Sequence, residues 1–178
     1  MNQSRIYIIH LGECDIRRCT AIKLRHFNLV NFIGKYDRRT QGAIFLDPFA
    51  EKALSKEDRE TIKKKGLVAL DGSWKKIERN KFLIFYKRYA SRALPYLIAG
   101  NPTHYGTPTK LSTVEALAFA LFITGFKEQT FDLLRIFSWG INSFKLNQYL
   151  LEMYSKLNTA QEVVNFQNEF LEEQRRKG

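Results

Sequence analysis

The chain has few of the residues from which metal centres and covalent active sites are built. Only two of its 178 residues are cysteines, Cys14 and Cys19, and its three histidines are scattered. Two thiols so close together cannot supply the four ligands of a structural zinc site. We therefore expect no metal, and we expect both thiols to be reduced.

Several common catalytic and targeting signatures are also missing. The sequence contains no G-x-G-x-x-G pattern, no Walker-type phosphate loop and no nucleophile elbow, which argues against nucleoside triphosphate hydrolysis and acyl transfer. No apolar run reaches the roughly 18 residues that span a bilayer. The first residues also lack the basic and apolar regions of a secretory signal. We expect a cytoplasmic protein without a membrane partner.

Positive charge is abundant and lies in one half of the chain. Residues 1–92 hold 21 Lys/Arg and 10 Asp/Glu, a balance of +11, whereas residues 93–178 hold eight of each and are neutral. An excess of positive charge on one side favours a polyanionic partner, and nucleic acid is the obvious one. The alternative, that the charge only maintains solubility, stays open at this point.

The pattern of apolar residues predicts an α/β protein. Short apolar runs bounded by turn residues predict strands at residues 5–11, 43–46, 67–70 and 94–98. Helical patterns and capping signals predict helices at residues 15–24, 55–66, 112–123, 127–138, 141–156 and 159–176. We therefore expect a mixed α/β N-terminal domain over 1–92 and a mainly helical C-terminal domain over 93–178.

Three segments lie where a predicted strand ends: residues 46–48, residues 70–74 and the loop that runs from residue 99 to Ser112. In open α/β sheets ligands bind beyond the carboxyl ends of the strands. Trp74 offers a flat face for a purine or an alkyl group, and Thr113 begins a helix whose N-terminus suits a carboxylate. These residues alone leave two other interpretations open. Residues 71–73 could form only a tight turn with a helix cap, and Trp74 could be an ordinary core residue.

Six segments then occur in an order that resembles a known family. They are CTAIKL at 19–24, LDP at 46–48, LDGSW at 70–74, RALPYLIAGNP at 92–102, YG at 105–106 and KLSTVEAL at 110–117. Together they resemble the aminocarboxypropyltransferases of small-subunit ribosomal RNA in archaea and eukaryotes. The resemblance runs from about residue 5 to 125.

This resemblance implies a fold similar to the SPOUT-like methyltransferases, with a trefoil knot in the C-terminal domain. It also implies that S-adenosylmethionine is the cofactor and that its 3-amino-3-carboxypropyl group is transferred to N3 of a uridine or pseudouridine. The partner would be small-subunit ribosomal RNA, of the 16S or 18S type, or a pre-ribosomal subunit during ribosome biogenesis. No feature marks a dimer face, so we expect a monomer.

The residues that would bind the cofactor follow from the matching segments. They are Thr20, Leu46, Pro48, Leu70, Trp74, Ile77, Leu94, Thr109, Leu111, Thr113 and Ala116. The resemblance implies that the apolar members enclose the adenine, that the Leu70 carbonyl holds the ribose, and that Thr20 and Thr113 hold the carboxylate. Trp74 and Ile77 would bury the methyl group and so leave the carboxypropyl carbon to react.

Asp71 and Trp74 are the expected catalytic residues. Asp71 is the only acid of its segment, and it would act as general base, as a group that orients the substrate, or merely as a helix cap. For RNA binding we expect Arg17, Arg18, Lys23, Arg25, Lys75, Lys76 and Arg79. Two other functions stay open: a SPOUT-type RNA methyltransferase, and a non-catalytic RNA-binding ribosome-assembly factor.

Overall fold

A five-stranded parallel sheet forms the centre of the protein. The structure is a computed structural model that describes residues 3–13 and 15–178, so Cys14 lies outside the described residues. The strands are β1 (Ile6–His10), β2 (Asn31–Phe32), β3 (Ile44–Leu46), β4 (Leu67–Asp71) and β5 (Ala90–Arg92). Their order in the sheet is β2-β1-β4-β3-β5, and every neighbouring pair is parallel. The predicted α/β class is confirmed.

The three inner strands are apolar along almost their whole length. The sequences IYIIH, IFL and LVALD are nearly all buried, as expected for parallel strands that are covered on both faces. β4 lies between β1 and β3, and the register places His10 beside Asp71 and Leu46 beside Ala69. Because the strands are parallel, their carboxyl ends meet at one edge of the sheet.

Helices dominate the second half of the chain. The helices are α1 (Thr20–His26), α2 (Arg59–Lys65), α3 (Asn80–Leu83), α4 (Thr113–Ile123), α5 (Lys127–Leu134), α6 (Gly140–Lys156) and α7 (Ala160–Lys177). α4 is apolar on nearly every face and almost wholly buried, as a central helix should be. It packs on β4 and α1 and on α5 and α6. One apolar cluster therefore joins residues of both halves.

One predicted strand is wrong. Residues 94–98 form no strand, and the edge strand is β5, a few residues earlier. Pro95 has no N–H to donate to a sheet. The backbone groups of the neighbouring residues form hydrogen bonds with side chains of the helix α6 instead of with another strand. Asn147 both donates to and accepts from the backbone of Ile98, at 2.8 and 2.7 Å. The Tyr154 hydroxyl donates to the Tyr96 carbonyl at 3.1 Å.

Other element boundaries also differ from the expectation. The helix predicted for residues 15–24 begins only at Thr20, because Asp15 accepts a backbone hydrogen bond from Arg18 and closes a turn instead. The helix predicted for 55–66 starts as a 3-10 turn, and Gly66 ends it with φ of 98°. The strand β2 and the helix α3 were not predicted. Within residues 3–13 and 15–178, none of the helices has the length and hydrophobicity of a transmembrane span.

Candidate functional site

A cavity of about 240 Å³ lies at the carboxyl ends of β3 and β4, and we call it the strand-end cavity. Its wall consists of Leu46, Asp47, Pro48, Ala69, Leu70, Gly72, Trp74, Ile77, Phe82, Leu94, Pro95, Thr109, Leu111, Ser112, Thr113 and Ala116. Ten of the eleven residues expected to bind the cofactor are in this wall; the eleventh, Thr20, lies outside it. The structure thus brings together segments that are up to 70 residues apart in the chain, from Leu46 to Ala116.

Trp74 is fixed in the wall by a hydrogen bond to another residue of the wall. Its indole Nε1 donates to the Leu111 carbonyl at 2.8 Å, so the ring has a defined orientation. The turn before it is held by Glu13, which accepts from the Ser73 N–H at 3.1 Å and from the Lys81 ammonium at 2.7 Å. The hydrogen bond from Lys81 lowers the pKa of Glu13. Glu13 is 60 residues from Ser73 in the chain, and sequence reasoning missed it.

The loop that leads into α4, and that contributes Leu111 and Ser112 to the cavity wall, is organised by the buried carboxylate of Glu115. One oxygen, Oε1, accepts from the Gly100 N–H at 2.7 Å and from the Ser143 hydroxyl at 2.5 Å. The other, Oε2, accepts from the Asn101 amide and from the Ser112 N–H and hydroxyl, each at 2.8 Å. The capping box expected at residues 112–115 is therefore confirmed, and its glutamate also ties the loop to α6.

Thr109 adopts a backbone conformation that is rare for its residue type. Its φ is 64°, in the left-handed region that β-branched residues avoid. The Thr109 N–H donates to the Leu97 carbonyl at 2.8 Å, which holds the loop closed at this point. Such strain tends to occur at ligand sites, where the surrounding structure enforces it.

Asp71 is buried at the end of β4, among side chains of three other elements. Its Oδ1 accepts from the Thr113 hydroxyl at 2.5 Å, and its Oδ2 is 2.6 Å from Nδ1 of His10. The Cys19 thiol is 3.5 Å from the same Oδ2. Both carboxylate oxygens are thus engaged at the place where α1 and α4 begin.

His10, Cys19 and Asp71 also form a three-residue group whose donor atoms lie within 4.8 Å of one another. Two ligands of one tetrahedral zinc ion, each bonded at about 2.0–2.2 Å, would stand roughly 3.3 Å apart. The 2.6 Å between His10 and Asp71 is a hydrogen-bond distance instead. We therefore interpret the group as a hydrogen-bonded cluster.

A second, wider depression of about 880 Å³ opens beside the strand-end cavity, and we call it the basic basin. It is lined by Ile16, Arg17, Arg18, Cys19, Thr20, Ile22, Lys23, His26, Phe27, Asn101, Pro102, Thr103, Ser112, Phe137 and Trp139. No Asp or Glu is among these described residues. Ser112 borders both spaces, and the Thr20 hydroxyl accepts from the Val114 N–H at 3.3 Å. Thr20 therefore lies at the start of α4, between the two spaces.

The seven residues expected to bind RNA are all exposed, but they fall into two groups. Arg17, Arg18 and Lys23 line the basic basin. Arg25 lies on the same helix as Lys23, with its guanidinium 4.7 Å from the centre of the Phe32 ring. The second group consists of Lys75, Lys76 and Arg79, which follow Trp74 and do not line the basin.

Asp47 is a member of the cavity wall that the sequence did not single out. It is 1% exposed, and its Oδ1 accepts from the Phe49 N–H at 2.8 Å. Its Oδ2 is buried without a hydrogen bond of good geometry among the described residues, and the side chain of Tyr86 acts on the carboxyl group as a hydrogen-bond donor. Burial raises the pKa of Asp47 above its ordinary value, while the nearby Phe49 N–H, Tyr86 and Arg79 lower it in part.

Two protein families match parts of the chain. Residues 44–171 match the family described as "Ribosome biogenesis protein, C-terminal". Residues 4–35 match "Possible Fer4-like domain in RNase L inhibitor, RLI". The second segment contains only the cysteines at 14 and 19, whereas a four-iron cluster takes four thiolates. These residues do not fit such a cluster.

Similar proteins of known name cover almost the whole chain. A "16S rRNA aminocarboxypropyltransferase" of Methanosphaera stadtmanae is 47% identical over 94% of this chain and 97% of its own length. A protein of the same name from Methanopyrus kandleri is 44% identical over 92% and 96%. The solved structure of the "SAM-dependent rRNA:acp-transferase Tsr3" from Vulcanisaeta distributa is 37% identical, has a TM-score of 0.78, and covers 91% of this chain and 88% of that one. The chain therefore belongs to the family of the 16S rRNA aminocarboxypropyltransferases.

Proposed function

We propose that this protein transfers the 3-amino-3-carboxypropyl group of S-adenosylmethionine to N3 of a uridine or pseudouridine in small-subunit ribosomal RNA, in the course of ribosome biogenesis. The observation that carries the proposal is that ten residues expected to bind this cofactor line one cavity. The names of the relatives and of the structural neighbour agree with it.

The residues of the strand-end cavity suit the cofactor in both shape and polarity. Apolar side chains form most of the wall around a fixed tryptophan, and Ser112 and Thr113 add polar groups at one end. Leu46, Pro48, Leu94, Leu111 and Ala116 would enclose the adenine. The Leu70 carbonyl would hold the ribose, and the strained loop at Thr109 would present a carbonyl to the base. Thr20 and the N-terminus of α4 at Thr113 would hold the carboxylate.

The cofactor, when bound, supplies a sulfonium whose three attached carbons are all open to displacement. The protein must therefore select one of them by position. Trp74 and Ile77 would cover the methyl group, and the tryptophan face would also stabilise the positive charge by about 1–2 kcal/mol in a desolvated site. This leaves the carboxypropyl carbon directed toward Asp71 and the basic basin.

We propose that Asp71 acts by orienting groups in the site. The contacts with the Thr113 hydroxyl and with Nδ1 of His10 occupy both of its oxygens, which favours an orienting role over that of general base. In this role Asp71 would hold the side chains of His10 and Thr113 in position beside the carboxypropyl chain or the target base. If Asp71 were the general base, replacement by Asn should reduce the rate by about 10²–10⁴ and leave cofactor binding near normal, whereas an equal loss of cofactor affinity would mean that Asp71 is structural.

The RNA would bind across the basic half, residues 1–92, with its reacting loop in the basic basin. Arg17, Arg18 and Lys23 are available there for phosphates, and Phe27, which is 52% exposed, offers a ring on which an unpaired base can stack. Lys75, Lys76, Arg79 and Arg25 would extend the phosphate-binding surface.

For the helical half, residues 93–178, we propose the SPOUT-like trefoil knot. Its support is the resemblance of the chain to a family with this fold, and the loop over residues 97–109, which three backbone hydrogen bonds close before the buried helix α4, is compatible with it. Pulling the unfolded chain by its two ends would test the knot. An unknotted chain extends to about 3.3–3.6 Å per residue, whereas a tightened knot retains some residues and makes the extended length shorter.

We further propose that the protein is a monomer and that it acts in the cytoplasm. Light scattering tests the first statement, and cell fractionation tests the second.

The decisive experiment uses S-adenosylmethionine labelled either in the carboxypropyl carbons or in the methyl group, together with small-subunit RNA. Carboxypropyl label in the RNA is the expected result. Methyl label in the RNA would instead identify an RNA methyltransferase. RNA binding with neither label, and with no binding of S-adenosylmethionine, would identify a non-catalytic assembly factor. The variant Trp74→Ala should reduce transfer, and Tyr149→Ala, at an exposed aromatic residue of the helical half, serves as its control.

A further inference from the structure

We infer that the side chain of Trp139 stacks on an unpaired base of the RNA loop in the basic basin. The inference rests on the proposed function, because it assigns one contact to the RNA that the basin would hold. It goes beyond the expectation that RNA binds across residues 1–92, since Trp139 belongs to the helical half.

Trp139 is a half-buried member of the basin wall. It lies in the turn between α5 and α6 and directly precedes α6. Phe137 lines the basin beside it, with the two ring centres 5.3 Å apart and the ring planes inclined by 44°. Trp139 also packs against the main apolar cluster. The side chain is thus supported from within the protein while it contributes an aromatic surface to the basin.

The indole N–H of Trp139 is accessible. Buried tryptophans usually pair this group, as Trp74 does with the Leu111 carbonyl. Within residues 3–13 and 15–178, no group accepts a hydrogen bond from Nε1 of Trp139, and Nε1 is not among the buried atoms that lack a partner. The N–H group therefore contacts solvent. An aromatic side chain with an apolar body in the core and an accessible polar end is typical of binding interfaces.

The turn that carries Trp139 is fixed by backbone hydrogen bonds. The Gly140 N–H donates to the Phe137 carbonyl, and the Ser143 N–H donates to the Trp139 carbonyl, both at 2.9 Å. Gly140 also lies so close to the Leu134 carbonyl that a side chain at this position would overlap with it. The backbone of Trp139 therefore has little conformational freedom to lose when a base stacks on the ring.

The charges around Trp139 favour nucleic acid as the occupant. The exposed Lys23 places its ammonium 4.8 Å from the centre of the Phe137 ring, next to Trp139. Arg17 and Arg18 also line the basin, and none of its described residues is acidic. Sites for single-stranded nucleic acid combine cations for the phosphates with aromatic faces for the bases in this way. An RNA loop is therefore the occupant that fits this wall.

The position of the basin connects this contact with the reaction. Ser112 borders both the basin and the strand-end cavity, so RNA in the basin would lie beside the cofactor. A base held by Trp139 would keep the loop in the basin while the target base reaches the carboxypropyl carbon. Trp139 itself is outside the wall of the strand-end cavity. We therefore expect its loss to weaken RNA binding and to leave the binding of S-adenosylmethionine unchanged.

The fluorescence of Trp139 tests the inference without altering this residue. The chain has two tryptophans, so the variant Trp74→Phe emits from Trp139 alone. Titration of this variant with an RNA hairpin that has a loop of uridines should quench the emission, because bases stack on the indole ring. The same hairpin with abasic riboses in its loop should bind through its phosphates and leave the emission nearly unchanged. Equal quenching by both hairpins, or by neither, would overturn the inference.

The variants Trp139→Leu and Trp139→Phe measure the contribution of the ring. Trp139→Leu should bind the uridine hairpin about 5- to 150-fold more weakly, the loss expected for one base stacked on an aromatic side chain. Trp139→Phe keeps a ring and should lose less. Calorimetry should show that both variants bind S-adenosylmethionine as the original protein does. Tyr149→Leu, at an exposed aromatic residue of α6 outside the basin, should change neither affinity.

The outcomes separate this inference from the proposed function. If Trp139→Leu binds the hairpin as tightly as the original protein, only the role of Trp139 fails. If both variants lose the same RNA affinity and both unfold at a much lower temperature, Trp139 acts through packing, which also overturns the inference. If the original protein binds neither small-subunit RNA nor S-adenosylmethionine, the proposed function itself fails.

Discussion

The substitution Glu115→Gln tests how the wall of the strand-end cavity is held together. Glu115 is fully buried and accepts five hydrogen bonds, from Gly100, Ser143 and Asn101 and twice from Ser112. Glutamine keeps one oxygen and replaces the other by an N–H₂ group. If the remaining oxygen stays on the Gly100 side, three donors face the new N–H₂ group and lose their acceptor.

The expected cost follows from these contacts. Each buried donor that loses its partner costs about 1–3 kcal/mol, partly relieved by local rearrangement. We expect Glu115→Gln to lower the free energy of unfolding by about 3–5 kcal/mol. For a chain of this length each kcal/mol corresponds to about 2–4 °C, so the midpoint of thermal unfolding should fall by about 6–20 °C. Urea denaturation gives the free energy directly.

The matched control is Glu128→Gln, which changes an exposed glutamate in the first turn of α5. Only the interaction with the helix dipole is lost there, about 0.3–1 kcal/mol. Amide hydrogen exchange adds a local measurement, because the Ser112 N–H, which loses its acceptor, should exchange faster in Glu115→Gln alone. If both glutamine variants lose the same small amount of stability, the network around Glu115 does not hold the loop, and the reasoning is refuted.

Four further predictions concern the loop, the ligands and pH. Gly100→Ala should unfold at a lower temperature, because the added methyl would stand 2.6 Å from Ser143, whereas Gly34→Ala, which meets nothing within 4 Å, should not. Trp74→Phe removes the indole N–H that fixes the ring, so calorimetry should show weaker binding of S-adenosylmethionine. A salt titration should show RNA affinity falling linearly with salt on logarithmic axes, and a flat response would exclude phosphate contacts. Burial raises the pKa of Asp47 above 3.8, so its carboxyl group is protonated more readily in the folded protein than in the unfolded chain. The free energy of unfolding of the ligand-free protein should therefore fall as pH rises from about 4 through the raised pKa, and Asp47→Asn should lack this part of the fall.

The inner strands could be predicted because burial on both faces leaves a continuous apolar run in the sequence. β1 and β4 are of this kind. β5 is not: it consists of Ala, Ser and Arg, is half-buried and lies at the sheet edge, so no apolar pattern marks it. The stronger apolar run that follows it is a buried loop, and the amide of Asn147 that satisfies this loop lies 49 residues away.

Much of the candidate site could be predicted because its residues stand in short contiguous segments at strand ends. The parallel sheet then brings those ends to one edge, which is why Leu46, Leu70 and Leu94 meet in one wall. Contacts between distant segments could not be predicted in this way. The hydrogen bond from Ser73 to Glu13 and the burial of Asp47 depend on tertiary packing, which leaves no periodic signal.

The order of the strands has a consequence for folding. β4 is inserted between β1 and β3, and Ile6 pairs with Leu67, 61 positions later in the chain. The centre of the sheet therefore cannot form until residue 71 has left the ribosome, and β3 keeps an open edge until β5 arrives. Non-local parallel pairing folds slowly and exposes apolar strands in the meantime. We expect newly made chains to depend on chaperones until the buried helix α4 covers the sheet.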